Sequence, residues 1–385
     1  MDARIKNDRL HLMEHARTVV VKVGSAVLTS KTGLRLSVLC SLVEQLARLA
    51  ATGRRVCLVS SGAVAAGRAA FAGKNGAAES LPGKQALAAI GQGRLMREYE
   101  HAFASQGLVC AQVLLTRDDL RSRGRFLHAR NTFMNLLDWG VVPIVNENDT
   151  VAVHDLKFGD NDQLASLLLN LVEGDLYVNL TSAEGVLAAN PSAAPQGTDI
   201  PILKSIDDIE HLDIEALCGE KTSAGTGGMQ SKLMAARRAA QLGVPTLILP
   251  GRKPDILDRA FAGEEIGTWV CPSSNTVSRR KYWMAYQSDP LGSLFVDEGA
   301  ALALEKRGGS LLPGGIVRVE GEFDPGSMVR ILLGERQLGV GLSNYSSAEI
   351  RLIQGLKSSE MESVLGVVHY PEVVHRDNLL LHAAV

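Results

Sequence analysis

The sequence predicts an α/β domain, built on a mostly parallel sheet with helices on both faces and followed by a smaller β-rich barrel. Short β-branched runs alternate with longer segments of helical periodicity, a pattern that gives parallel strands joined by crossover helices. The alternation stops near residue 275, and beyond it short apolar runs are separated by Gly, Pro and Ser turns, as in a small barrel. The chain has 385 residues, 46% of them hydrophobic and only 21% charged, enough for two or three domains with sizeable cores.

Taken in order, residues 19–23, 56–60, 109–115, 141–145, 176–181 and 245–249 read as strands. Leu36, Leu39, Val43, Leu46 and Ala50 mark one helical face, and residues 87–103, 126–137, 164–172 and 229–242 supply further helices. Residues 278–283 and 288–290 break the pattern and read as a linker spanning 276–288. The runs 317–319, 328–332 and 364–368 then read as barrel strands. Residues 1–16 are dense in charge and read as a flexible tail, and residues 372–385 as a C-terminal one.

Composition excludes several classes of function. A net charge of −2 gives no global attraction to nucleic acid or membrane. The five cysteines (Cys40, Cys57, Cys110, Cys218, Cys271) are scattered and never form a Cys-x-x-Cys pair, so neither a disulfide framework nor a zinc site is indicated, and a cytoplasmic location is expected. The first residues lack the apolar stretch of a secretory signal, and no uncharged apolar run is long enough to span a membrane.

In such sheets ligands bind beyond the carboxyl ends of the strands. Those ends carry Lys22-Val23-Gly24-Ser25, Ser60-Ser61-Gly62-Ala63, Asn146-Glu147-Asn148-Asp149 and Thr181-Ser182, with Gly159-Asp160-Asn161-Asp162 ahead of a helix. The densest signal is Gly225-Thr226-Gly227-Gly228-Met229-Gln230-Ser231-Lys232, which runs straight into the helix starting near Met229. Glycines let backbone N–H groups approach an anion, the helix N-terminus adds partial positive charge, and the lysine adds a full one. The Walker order is absent, and singly each cluster reads as readily as a turn, a helix cap or a solvated loop. Together they gather small, amide and carboxylate groups with two lysines at one sheet edge. Neither a Gly-x-Ser-x-Gly elbow nor a His-Glu-x-x-His motif is present, which leaves phosphoryl transfer as the chemistry that uses every piece.

These motifs, with Lys84-Gln85-Ala86-Leu87-Ala88-Ala89-Ile90-Gly91-Gln92 and Leu114-Leu115-Thr116-Arg117, occur in an order that resembles the amino-acid kinase family, in its glutamate-phosphorylating branch. The resemblance spans residues 17–275. Val296-Asp297-Glu298-Gly299-Ala300 and Gly309-Ser310-Leu311-Leu312-Pro313 further resemble a PUA domain, placed at 289–371. The resemblance implies a three-layer αβα sandwich, an ATP-dependent reaction with Mg²⁺ carried mainly on the nucleotide phosphates, and L-glutamate as acceptor. It places Lys22, Lys232 and Asp162 in catalysis and Ser61, Asp149 and Asn161 at the substrate. Lys22, Gly24, Thr181, Ser182, Thr226, Gly227, Gly228, Met229, Gln230, Ser231 and Lys232 would bind ATP, with Gly24, Gly227 and Gly228 donating backbone N–H groups. It also implies proline as a feedback inhibitor and a homo-oligomer, a dimer or a tetramer.

The chain departs from the family at two nucleotide-side positions: Ser182 and Asn190 stand where carboxylates are usual. That raises the reading of a degenerate kinase kept as a metabolite sensor; a second alternative is a sister kinase acting on aspartate, acetylglutamate or carbamate, which would share the sheet and the phosphate lysines. A third, RNA binding through the PUA region, is opposed by the net charge of −4 over residues 289–371, which lacks the basic footprint of RNA binders.

Overall fold

Thr18–Val23 (β1) holds four valines, a threonine and Lys22, and every residue in it is buried. A strand so apolar on both faces belongs in the middle of a covered sheet. In the computed structural model, which describes residues 3–30, 33–71, 80–152, 160–191, 193, 195, 198–218, 228–274, 276–286 and 290–381, it occupies that position. The chain divides into two units, Met1–Thr276 and Val277–Val385.

In the first unit, Thr29–Ser30 (β2) and Gly33–Leu34 (β3) form a small separate ladder. The main sheet adds Arg55–Ser60 (β4), Cys110–Leu115 (β5), Val142–Glu147 (β6), Leu176–Thr181 (β7), Ser205–Ile206 (β8), Thr246–Pro250 (β9) and Thr268–Val270 (β10) to β1. Its order is β5-β6-β4-β1-β7-β9-β10-β8, parallel throughout except where β10 runs antiparallel to β9. All six strands expected in this unit are present, whereas of the three barrel strands expected further on 364–368 is not one, because Met361–Leu365 is helical; β8 and β10, of two and three residues, are too short to carry a pattern. The chain leaves β1 toward β4 on one side and later returns to β7 on the other. The switch point, and with it the crevice where ligands bind in such sheets, therefore lies at the carboxyl ends of β1 and β7.

Helices cover both faces. Leu36–Ala51 buries Leu39, Leu42, Val43, Leu46 and Leu49, so the expected face holds except at Leu36, which is the first helical residue and is exposed. Leu81–Ser105 and Ala63–Ala70 cross backbone to backbone: a Cβ on Gly91 would lie 1.8 Å from the Ala63 carbonyl oxygen, and one on Gly67 1.9 Å from that of Leu87. Only glycine permits that approach.

Three boundary expectations are corrected. Residues 3–16 of the expected N-terminal tail are not loose, because Ala3–His15 is a helix whose Met13 is buried, as is Ala16 just beyond it, while Ile5 and Leu12 pack against the main core. Arg9 is only 2% exposed: it donates from Nη2 to the Glu264 carbonyl at 2.9 Å and lies over the Trp269 ring. The apolar residues fall at helical spacing, but the charges between them hide the stripe. The segment read as a linker contains the helix Arg279–Tyr286, whose Tyr282, Trp283 and Met284 are buried within the second unit. Residues 372–381 of the segment read as a C-terminal tail are also built in, since Val373 and Val374 are buried and Leu379–Leu381 forms a strand.

In the second unit, Gly292–Val296 (β11), Ile316–Gly321 (β12), Met328–Leu333 (β13), Arg336–Leu342 (β14) and Leu379–Leu381 (β15) make a sheet ordered β12-β11-β13-β14-β15. All its pairs are antiparallel except β11 with β13. Its core is apolar, centred on Leu294, Val329, Ile331, Leu338, Ile350 and Val374. Among the described residues no helix is long and apolar enough to cross a membrane.

Candidate active site

Lys22 sits near the carboxyl end of β1, where the pairing sets it beside Val59 of β4 and Asn179 of β7. Residues of odd number on β1 point into the main core, which turns Lys22 to the opposite face. There the Asp160–Leu171 helix brings Asp162, fully buried, against it. Lys22 Nζ lies 2.6 Å from Asp162 Oδ1, and Lys232 Nζ lies 3.1 Å from Asp162 Oδ2. Lys232 comes from the first turn of the Met229–Gln241 helix, and both lysines are at most 5% exposed. Two ammonium groups share one carboxylate, so the triad is formally cationic.

Two neutral donors complete the carboxylate. Ser231 Oγ donates to Asp162 Oδ2 at 2.7 Å, and Asn179 Nδ2 donates to Asp162 Oδ1 at 2.9 Å and to the Tyr177 hydroxyl at 2.8 Å. Burial by itself would raise the Asp162 carboxyl, but the charges of Lys22 and Lys232, with the hydrogen bonds from Lys22 and Ser231, outweigh it and hold the group well below the usual carboxylate range. At Lys22 burial pushes the ammonium down; Asp162 opposes that shift and Lys232 adds to it. Asn179 was not singled out in the sequence, although an asparagine inside an otherwise apolar buried strand is itself a signal.

The neighbouring residue, Asn161, opens a second cluster. Its Nδ2 donates to Ser61 Oγ at 2.8 Å and to Asn146 Oδ1 at 3.0 Å, while its own Oδ1 is buried and has no partner among the described residues. The donor end of this amide is thus already engaged, and its buried carbonyl is the part left to bond. Asn146 donates in turn to Gln92 Oε1 at 2.9 Å and also accepts from the Glu147 N–H at 3.0 Å. Asp149 is half-buried in the turn after β6, and burial pushes its carboxyl up to about 6.

On the nucleotide side, Thr181 is buried and Ser182 exposed at the end of β7. The Gly24 N–H donates to the Leu180 carbonyl at 3.2 Å, so the free backbone donor expected there already has a partner. Gly228 caps the Met229–Gln241 helix, and among the described residues nothing lies within 4 Å of a Cβ placed on it. Met229, Gln230 and Ser231 form the first turn and are partly exposed. Thr226 and Gly227 lie outside the described residues. No cluster of three acidic, His or Cys side chains that could hold a metal occurs among the described residues, and Asp162 is committed to two ammonium groups.

A cavity of about 460 Å³ lies at the opposite ends of the strands, lined by Arg54, Arg55, Val56, Leu137, Asp138 and Val142, among others. Its charged groups are already paired, Arg55 with Asp138 and Arg54 with the carbonyls of Met13, Glu14 and Ala16.

Residues 17–250 match the Amino acid kinase family, and residues 292–365 match the PUA domain. The chain belongs to the amino acid kinase family. A protein named glutamate 5-kinase from Nitratidesulfovibrio vulgaris (strain DP4) is 61% identical over 379 residues, covering 98% of this chain and 99% of its own. Proteins of the same name from Oleidesulfovibrio alaskensis and Geobacter sulfurreducens are 56% identical over 381 residues and 48% identical over 376. The former covers 99% of both chains, the latter 97% of this chain and all of its own. Family membership and the PUA match agree with the two-part organisation read from the sequence.

Proposed function

We propose that this chain transfers the γ-phosphoryl group of ATP to the side-chain carboxylate of L-glutamate, giving L-glutamyl 5-phosphate and ADP, the first step toward proline. The observation that carries the reading is the Lys22–Asp162–Lys232 triad at the first turn of the Met229–Gln241 helix, one residue from an amide cluster suited to an amino acid. The relatives named above support the choice of glutamate.

The residue types follow from the reaction. A glutamate carboxylate, with a reference pKa of ~4.3, is ionised at neutral pH, so the nucleophile needs no general base. One carboxylate oxygen forms a bond to the γ-phosphorus, the bond to the β,γ-bridging oxygen breaks, and the electron pair leaves on ADP with no proton moved. The barrier is electrostatic: an anion approaches an anion, and charge accumulates on the departing oxygen. Lys22 and Lys232, held by Asp162, are fixed cations aimed at that charge, and the first turn of the Met229–Gln241 helix adds backbone donors.

Asp149 receives the α-ammonium, and Ser61 with Asn161 completes the amino-acid site. Thr181, Ser182 and the 226–232 loop hold the nucleotide. Mg²⁺ arrives on the ATP phosphates, where it neutralises their charge. Proline, which carries an ammonium and a carboxylate in the same relation, competes at the amino-acid half; the enzyme works as a homo-oligomer in the cytoplasm. Incubation with Mg-ATP, glutamate and hydroxylamine tests the reading, because an acyl phosphate is trapped as a hydroxamate. Glutamate-dependent hydroxamate is expected; its absence, or equal product from aspartate or acetylglutamate, would overturn the assignment.

A further inference from the structure

The Leu81–Ser105 helix carries Gln85, Gln92 and Tyr99 at seven-residue spacing, two turns apart and therefore on one face. Each bonds a different segment of the strand-end crevice. Gln85 Nε2 donates to the Ala152 carbonyl at 3.1 Å, Gln92 Oε1 accepts from Asn146 Nδ2 at 2.9 Å, and the Tyr99 hydroxyl lies 2.8 Å from Ser60 Oγ. The glycine-only crossing at Gly91 and Ala63 locks this helix to the start of the Ala63–Ala70 helix, into which Ser60, Ser61 and Gly62 lead. Gln92 is thus held at a fixed place relative to Ser61.

Building on the function proposed above, we propose that Gln92 is a positioning residue for the amino-acid substrate, anchoring an amide relay that ends in the Asn161 carbonyl as acceptor for the substrate's ammonium. The hydrogen bonds run one way. Asn161 Nδ2 donates to Asn146 Oδ1, Asn146 Nδ2 donates to Gln92 Oε1, and Asn161 Oδ1 is left buried with no partner among the described residues. An orphaned buried carbonyl is costly, so a bound donor at that point gains both its own hydrogen bond and relief of that cost. Donation through each amide N–H also makes that amide's carbonyl a stronger acceptor.

Without an acceptor at position 92, the buried Asn146 NH₂ loses its partner and the side chain is held only through its Oδ1, by the Glu147 N–H and Asn161. The Asn161 amide then loses its fixed support, and the ammonium its placed acceptor. Gln92 touches no substrate in this scheme; it acts through Asn146.

Two variants separate this role from packing. Gln92→Met keeps the shape and removes the acceptor, whereas Gln92→Glu keeps an acceptor. Steady-state kinetics should show the glutamate KM raised by about 10- to 100-fold in Gln92→Met, the range of one hydrogen bond to a charged group, with kcat within about threefold. Gln92→Glu should stay near the unsubstituted protein. Glutarate, which has both carboxylates and no ammonium, should inhibit Gln92→Met and the unsubstituted protein equally. Equal loss in the two variants, no change in Gln92→Met, or weakening of glutarate in parallel with glutamate would overturn the relay. Hydroxamate formation by the unsubstituted protein in the same assay tells its failure from failure of the glutamate reading: an inactive parent sinks the latter, an active parent with unaffected Gln92→Met only the former.

Discussion

The two halves of the strand-end crevice begin at consecutive residues and are built from opposite materials. Asp162 opens a half made of charges: two lysines and a carboxylate, all at most 5% exposed, whose mutual pairing offsets the cost of burying them. Asn161 opens a half made of neutral amides and a hydroxyl, and the half-buried Asp149 follows three residues after Asn146 of that cluster. A site that must stabilise moving charge gains from fixed, desolvated cations. A site that must recognise a small zwitterion gains from directional donors and acceptors. The difference predicts that damage to one half appears in turnover and damage to the other in affinity.

The largest effect should come from the charged half. Lys232→Ala is expected to lower kcat by about 100- to 1,000-fold, as loss of a transition-state charge contact does, with the glutamate KM within a few-fold. Asp162→Asn should reduce kcat similarly and also destabilise the fold by ~3–5 kcal/mol, because it leaves two buried ammonium groups without their shared counter-charge. Chemical denaturation beside steady-state kinetics reads both.

In the amide half, Asp149→Asn should raise the glutamate KM by about 10- to 100-fold at pH 7.5, the worth of a charged hydrogen bond, and leave kcat close to unchanged. Burial pushes Asp149 up to about 6, so its ionised, ammonium-binding form is lost as pH falls through that value. The glutamate KM should therefore climb below pH ~6, approaching tenfold per pH unit, while the substrate's own carboxylate, with a pKa of ~4.3, stays ionised. That climb should vanish in Asp149→Asn. Asp162, held well below the usual range, should leave no mark on the profile.

The smallest effect on chemistry should come from a site remote from both halves. Met13→Ala, in the N-terminal helix, is expected to cost ~2–5 kcal/mol of stability through lost packing, with kcat and KM of the folded enzyme unchanged. A kinetic effect there would mean that the division between the halves is not local.

Much of this was legible in the sequence because the strands are short, β-branched and bounded by glycine, and because Lys22, Asp162 and Lys232 sit in distinctive clusters. What escaped did so for physical reasons. The helix Ala3–His15 presents its apolar stripe through a sequence crowded with charge, and Leu379–Leu381 is too short a run to announce a strand. Asn179 and Gln92 lie inside regular elements, where only the fold reveals that their side chains reach Asp162 and Asn146. The direction of the Asn161 amide is likewise a tertiary fact: no spacing rule says which end of an amide is already engaged.

The central claim is the division of labour between adjacent clusters, and the most direct test is to measure kcat and glutamate KM for Lys232→Ala and Asp149→Asn side by side in the hydroxamate assay. The account predicts a crossed result, with turnover lost and affinity kept in the first, affinity lost and turnover kept in the second. Loss of the same parameter in both variants would contradict it.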